Sequence, residues 1–171
     1  PPNGLPFALG AYTIWGLVPA YFKTLSAVPP LEVVTQRILW SIPLLWVIMM
    51  IRGQMTEYRQ IFAHKDHLRN LIASSIFIAV NWLIYIWAVV NDHILATALG
   101  YFLNPLVNIV LARAFLGERL RPAQIVAVAI ALIGVALLAS TALDTVWISV
   151  TLAVSFGLYG LMRKITPVGS V

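Results

Sequence analysis

Runs of apolar residues long enough to cross a bilayer lie near residues 5–25, 31–51, 68–91, 94–116, 122–140 and 146–162. Within each run the apolar positions are continuous and do not alternate with polar ones. That disfavours strands, and lipid admits only helices or closed barrels. Because a span needs about 20 apolar residues, the pattern predicts an all-α bundle of six membrane-spanning helices. The breaks between them follow turn chemistry. Ser26 to Pro30 carries Pro29-Pro30, Asn91-Asp92-His93 is a short polar break, and Gly117-Glu118-Arg119 leads to Pro122. A glycine there stops one helix, and a proline suits the first turn of the next. The longest connection, Arg52 to Asn70, is polar and mixed in charge, and is expected to lie as a surface segment against headgroups.

Composition narrows this reading. Of 171 residues 61% are hydrophobic and 10% charged, against about 45–50% and about 25% in a soluble domain, so no sequence remains for a sizeable extramembrane domain. A disordered chain, a disulfide scaffold and a nucleic-acid-binding module are disfavoured. Cysteine is absent, which excludes disulfides, thiolate metal ligands and thiol nucleophiles. The chain opens on Pro1-Pro2 without an initiator methionine. Residues missing before Pro1, an excised fragment or a cleaved signal peptide are the expected explanations.

The formal charge of +5 matters less than where the basic residues fall. Arg52, Arg59, Lys65 and Arg69 lie between spans two and three, Arg113, Arg119 and Arg121 surround the turn after span four, and Arg163 and Lys164 follow span six. The positive-inside rule makes these three places cytoplasmic. The connections after spans three and five hold Asp92 and Asp144 but no Lys or Arg, so they face outward and span one starts in the cytoplasm. Lys23, at the outer end of span one, runs against this pattern.

Span six echoes span one. Tyr12-Thr13-Ile14-Trp15-Gly16-Leu17 aligns with Phe156-Gly157-Leu158-Tyr159-Gly160-Leu161 at a constant offset of 144, matching aromatic, aliphatic and Gly-Leu positions. With five spans between the copies, the second enters the membrane from the opposite side, as the charge pattern also requires. This is the signature of an inverted repeat. The expected organisation is one five-helix repeat over residues 5–140 and the first helix of an inverted second repeat over residues 146–162, with the remainder of that repeat missing.

All six acidic residues, Glu32, Glu57, Asp66, Asp92, Glu118 and Asp144, sit at span ends or in loops, as do His64, His67 and His93. No acid and base pair falls inside the membrane. His64 and His67 are spaced i,i+3 as metal ligands can be, but a solvated helix face fits them better. An enzyme, a catalytic residue, a metal and a cofactor are therefore not expected.

Arg37 falls about six residues into span two, roughly 9 Å deep at 1.5 Å per residue, and a buried arginine there costs a few kcal/mol unless compensated. Two readings stand. Its stem snorkels to the headgroups or bonds backbone carbonyls, or it faces a cavity and attracts a carboxylate or phosphate through its fork of donors. In span four Thr97, Tyr101, Asn104 and Asn108 recur on one helical face, and Pro105 removes a backbone donor. Those asparagines either bond neighbouring helices or meet a ligand. Asn81 and Tyr85 are i,i+4 neighbours in span three, with Trp82 beside them. In span one Tyr12, Trp15, Gly16 and Pro19 share a face, and Gly16 with Pro19 permits a bend. Trp40, Trp46, Trp87 and Trp147 read as interfacial anchors. In span five Ala123, Ala127, Ala131 and Gly134 form a smooth ridge suited to close helix packing.

At these residues the chain resembles a known family. Trp15-Gly16 with Pro19-Ala20-Tyr21-Phe22-Lys23, Arg37 before Trp40-Ser41, Asn81-Trp82 with Ile86-Trp87-Ala88-Val89, Leu99-Gly100-Tyr101-Phe102 with Asn104-Pro105-Leu106, and Phe115-Leu116-Gly117-Glu118-Arg119 resemble the RarD-type members of the drug/metabolite transporter superfamily, which carry EamA domains. The resemblance implies a ten-helix bacterial inner-membrane transporter of two inverted five-helix repeats around a cavity for a small metabolite or drug. The membrane glutamate of the small multidrug exporters is lacking. The expected function is a multi-pass secondary transporter working by alternating access on an anionic or zwitterionic small molecule in the lipid bilayer. Tyr12, Trp15, Arg37, Asn81, Tyr85, Tyr101, Asn104 and Asn108 would bind substrate, and Gly16, Pro19 and Pro105 would let helices bend. The alternative is a non-transporting assembly partner or accessory subunit whose polar residues only hold helices together.

Overall fold

The computed structural model describes residues 4–53, 65–117, 120–140 and 143–166. Among them are six α-helices: α1 (Leu5–Thr24), α2 (Pro30–Ile51), α3 (Lys65–Val90), α4 (Ile94–Leu116), α5 (Pro122–Ser140) and α6 (Val146–Ile165). A turn of 3₁₀-helix, Leu143–Thr145, leads into α6, and no strand occurs among the described residues. Each helix coincides with a predicted span to within a few residues. α1 to α4 and the segment Leu143–Ile165 are long and apolar enough to cross a membrane, while α5 carries a shorter apolar stretch over Pro122–Leu137. The molecule is an all-α polytopic membrane protein. Most of the surface segment expected between Arg52 and Asn70, with His64, lies outside the described residues, as do Glu118 and Arg119.

The helix ends obey the local chemistry of their sequences. α1 and α2 carry proline in their first turns, where its missing N–H would be unpaired in any case. Gly117 takes φ 66° and donates its N–H to Ala112 O, closing α4. α3 ends in a Schellman motif: His93 N–H donates to Ala88 O at 2.8 Å and Asp92 N–H to Val89 O at 3.3 Å. The left-handed position, usually glycine, is Asp92 at φ 64°.

Contacts fix the directions of the helices. α4 and α6 run parallel, since Ser149 Oγ donates to Ala96 O at 2.7 Å near one end and Gly157 meets Val107 and Leu111 further along. α3 opposes α6: Asn81 reaches Leu152 and Ser155, while Trp87 meets Trp147. α1 follows α3, with Trp15 on Trp82 and Lys23 reaching Val90. Hence α1 and α6 point in opposite directions.

α6 is the best-packed helix, held between α3 and α4. Apolar burial drives little association in lipid, so close van der Waals packing carries such contacts. Glycines allow it here. A Cβ on Gly100 would stand 3.1 Å from Leu152 Cβ and 3.2 Å from Ser149 O, and one on Gly157 would stand 2.8 Å from Val107 Cγ1. The small-residue ridge of α5, expected to pack closely, does not do so among the described residues. Ala123, Ala127 and Ala131 are exposed, and no atom lies within 4 Å of a Cβ built on Gly134. The buried core sits toward the Asp92 end, around Phe22, Val33, Val34, Tyr85, Ile86, Ala88, Val89, Ala96, Ile148 and Leu152.

Candidate functional site

Several of the predicted residues come together with others in two groups at the junction of α1 to α4 and α6. The first is aromatic and centred on Trp82. Trp15 stacks on it at 5.7 Å between centroids and 22° between planes, Tyr85 meets it edge-on at 5.6 Å, and Phe22 lies at 6.1 Å. Tyr101 of α4 extends the group through Tyr85 at 6.2 Å. The spacing explains the convergence. Trp15 and Phe22 are two helical turns apart on one face of α1, and Trp82 and Tyr85 are one turn apart on α3.

Arg37 lies over this group. Its guanidinium carbon is 3.8 Å from the Trp82 ring centroid and 5.5 Å from that of Phe22. Neither ion pair found among the described residues involves Arg37. The negative ring faces replace a counterion, an attraction of about 0.5–2 kcal/mol depending on desolvation. This aromatic seat is a contact that neither reading of Arg37 named. The residue also lines a groove of about 350 Å³ with Tyr21, Leu25, Val28, Glu32, Val33, Gln36 and Trp40.

The second group is polar. Asn81, Thr97, Gly100, Tyr101, Asn104, Leu152 and Phe156 line a cavity of about 10 Å³ between α3, α4 and α6. Asn81 Nδ2 donates to Leu152 O at 2.8 Å and to Ser155 Oγ at 2.9 Å. Thr97 Oγ1 donates to Ile94 O in its own helix at 2.7 Å. Asn104 Oδ1 is buried with no hydrogen-bond partner. Asn81 thus joins helices, while Asn104 keeps an unused acceptor.

Other expectations fall elsewhere. Tyr12 is 78% exposed and joins neither group. Asn108 lines a different groove, of about 410 Å³, with residues of α4, α5 and α6 and Leu120. α1 and α4 continue without interruption through Pro19 and Pro105, and Gly16 has open space around its Cβ position. Lys23 is explained: its Nζ pairs with Asp92 Oδ1 at 2.6 Å and donates to Val90 O at 3.0 Å, tying α1 to the turn between α3 and α4. Trp82, read beside Asn81 and Tyr85, and Phe22 were not among the expected substrate-binding residues. The signal for Trp82 was position, since it lies well inside a span and away from the interfacial ends where tryptophan anchors, whereas Phe22, near the end of α1, carried no such signal.

Among the described residues no group of His, Cys, Asp or Glu is arranged to hold a metal ion. What the cluster offers is one fixed cation, flat aromatic faces and an unpaired amide oxygen.

Comparison with known proteins bears on these features. The profile of the EamA-like transporter family matches residues 2–140. An uncharacterized transporter of Pseudomonas aeruginosa is 42% identical over 169 residues, covering 99% of this chain and 57% of the relative. Protein RarD of Escherichia coli is 45% identical over 162 residues, covering 95% of this chain and 55% of the relative. An uncharacterized transporter of Bacillus subtilis is 36% identical over 171 residues. No solved structure matches the chain. The chain spans about half the length of the curated relatives it matches. With its apolar helices and these relatives, it is a multi-pass protein of the bacterial plasma membrane. It belongs to the EamA-like transporter family, in the RarD-type branch.

Proposed function

We propose that the chain forms part of a secondary transporter that moves a small metabolite by alternating access, and that the substrate carries a carboxylate or is zwitterionic. The observation that carries this reading is Arg37. It is held over Trp82 with no acidic partner among the described residues, so its five N–H donors remain for a ligand. Glu32 lines the same groove, which gives a zwitterion an opposite charge for each of its own. Trp15 and Tyr101, each 49% exposed, offer flat faces for the apolar part of the substrate. Tyr85 and Asn104 stand behind them, and Tyr12 and Asn108 extend the same reading toward the end of the bundle remote from Asp92.

The test is flux of carboxylate-bearing solutes into liposomes holding the full-length protein. Loss of a charge-assisted hydrogen bond is worth about 1.5–3 kcal/mol, so Arg37→Ala should weaken apparent affinity about 10- to 100-fold. Unchanged flux in that variant removes the anion role. A second reading, a non-transporting assembly partner, draws on Asn81, whose Nδ2 donates twice to α6 and so joins α3 to it. It requires the absence of saturable flux for any solute class tried.

A further inference from the structure

The small cavity between α3, α4 and α6 brings together acceptor oxygens whose usual donors are missing. Asn104, one of its lining residues, has Oδ1 buried without a hydrogen-bond partner, and a buried orphan of this kind calls for an explanation such as strain, a water or an ion. Pro105 follows directly in α4. It has no N–H to give to the carbonyl four residues before it, that of Tyr101, and Tyr101 also lines the cavity. Asn81 supplies a third acceptor. Its Nδ2 donates to Leu152 O at 2.8 Å and to Ser155 Oγ at 2.9 Å, which leaves Oδ1 as the acceptor end of the amide. The hydroxyls nearby are committed as well. Thr97 Oγ1 donates to Ile94 O at 2.7 Å and Ser155 Oγ to Thr151 O at 2.6 Å.

We infer that this cavity is a binding site for one dehydrated sodium ion, centred on Asn104 Oδ1 with Tyr101 O and Asn81 Oδ1 as its partners. Size limits the occupant. At about 10 Å³ the cavity has room for about one water-sized sphere, which bars a metabolite or a hydrated ion and favours sodium over the larger potassium. Charge limits it further. A water has two hydrogens to donate and cannot meet three acceptors, whereas a cation is attracted by all of them. No Asp or Glu lines the cavity, which disfavours calcium, whose sites draw on carboxylates, and magnesium, which keeps several waters. The position fits as well, since carbonyls released from helix hydrogen bonding hold sodium near the midplane of transporters, and Asn81 and Asn104 lie well inside α3 and α4. Ion binding does not rest on the transport reading. Where both hold, the ion and an anionic substrate at Arg37 favour each other's binding, by the same factor in either direction.

The test is thermal unfolding of the purified full-length protein in detergent, in sodium, potassium or choline chloride at equal ionic strength. A ligand of the native state raises the unfolding midpoint with its concentration. Sodium should raise it saturably above choline, and potassium should raise it less. In Asn104→Leu the midpoints in the three salts should coincide. Pro105→Ala restores an N–H for Tyr101 O and leaves both asparagines in place, so its half-saturating sodium concentration should rise several-fold. Equal midpoints in sodium and choline for the unaltered protein overturn the inference and leave the cavity to a water. A sodium increment that survives in Asn104→Leu places the ion elsewhere and overturns it too, as does a larger response to potassium. If Asn104→Leu does not accumulate, Pro105→Ala decides, and an unchanged half-saturation there overturns the site. The midpoints are read without flux, so failure of this site and failure of the role of Arg37 are told apart.

Discussion

The Arg37 and Trp82 pair depends on shape as well as charge. Lysine at position 37 keeps the charge but loses the planar fork and its stacking. Arg37→Lys should therefore destabilise the purified protein by about 0.5–2 kcal/mol, read by unfolding in mixed detergent, with impaired flux although the charge remains. The two asparagines at the polar cavity separate more sharply. Asn81→Leu removes two interhelical hydrogen bonds, about 0.6–2 kcal/mol each, and should destabilise. Asn104→Leu removes a buried acceptor that has no partner, and an unsatisfied group of this kind costs about 1–3 kcal/mol, so this variant should be neutral or more stable. If Asn104→Leu is stable but transports poorly, the free oxygen belongs to the substrate path. Lys23 and Asp92, at 41% and 80% side-chain exposure, make a surface pair worth about 0–1 kcal/mol. A double-mutant cycle should find coupling within that range. The reason Lys23 lies outside the positive-inside pattern was invisible in the sequence, because its partner lies 69 positions away.

Among the helices, α6 discriminates between two glycines that look alike in the sequence. A methyl group on Gly100 would press on Ser149 O, a backbone atom that cannot rotate away, whereas one on Gly157 meets the ends of the Val107 and Leu111 side chains. Gly100→Ala should cost about 1–3 kcal/mol as overpacking, Gly157→Ala less, and Gly134→Ala should be neutral or favourable, since glycine costs a helix up to about 1 kcal/mol relative to alanine. Thermal unfolding of the three variants in detergent orders them. Helix boundaries were legible beforehand because apolar length and the proline and glycine signals act locally. Which small residues mark tight contacts was not, since Ala123, Ala127 and Ala131 carry the same pattern without a neighbour among the described residues.

At the scale of the whole molecule, topology is read from thiols introduced one at a time: cysteine is absent from these 171 residues, and any cysteine elsewhere in the full-length protein is first replaced by serine. The charge pattern predicts that Asp144→Cys reacts with a membrane-impermeant maleimide added outside cells, and that Arg121→Cys reacts only after permeabilisation; labelling in the reverse order would invert the topology. The sequence by itself determined the membrane setting, the six helices and their ends and the family, and it singled out Arg37 as a residue to explain, because hydropathy, turn chemistry and the penalty of a charge in lipid are properties of short segments. Only the tertiary structure decided that Arg37 rests on Trp82 and that Lys23 meets Asp92. The same holds for Asn81, which joins helices where Asn104 keeps a free acceptor, and for α6, which sits between α3 and α4. Each of these depends on groups far apart along the chain meeting at a few ångströms, and periodicity carries no information about which faces of different helices meet.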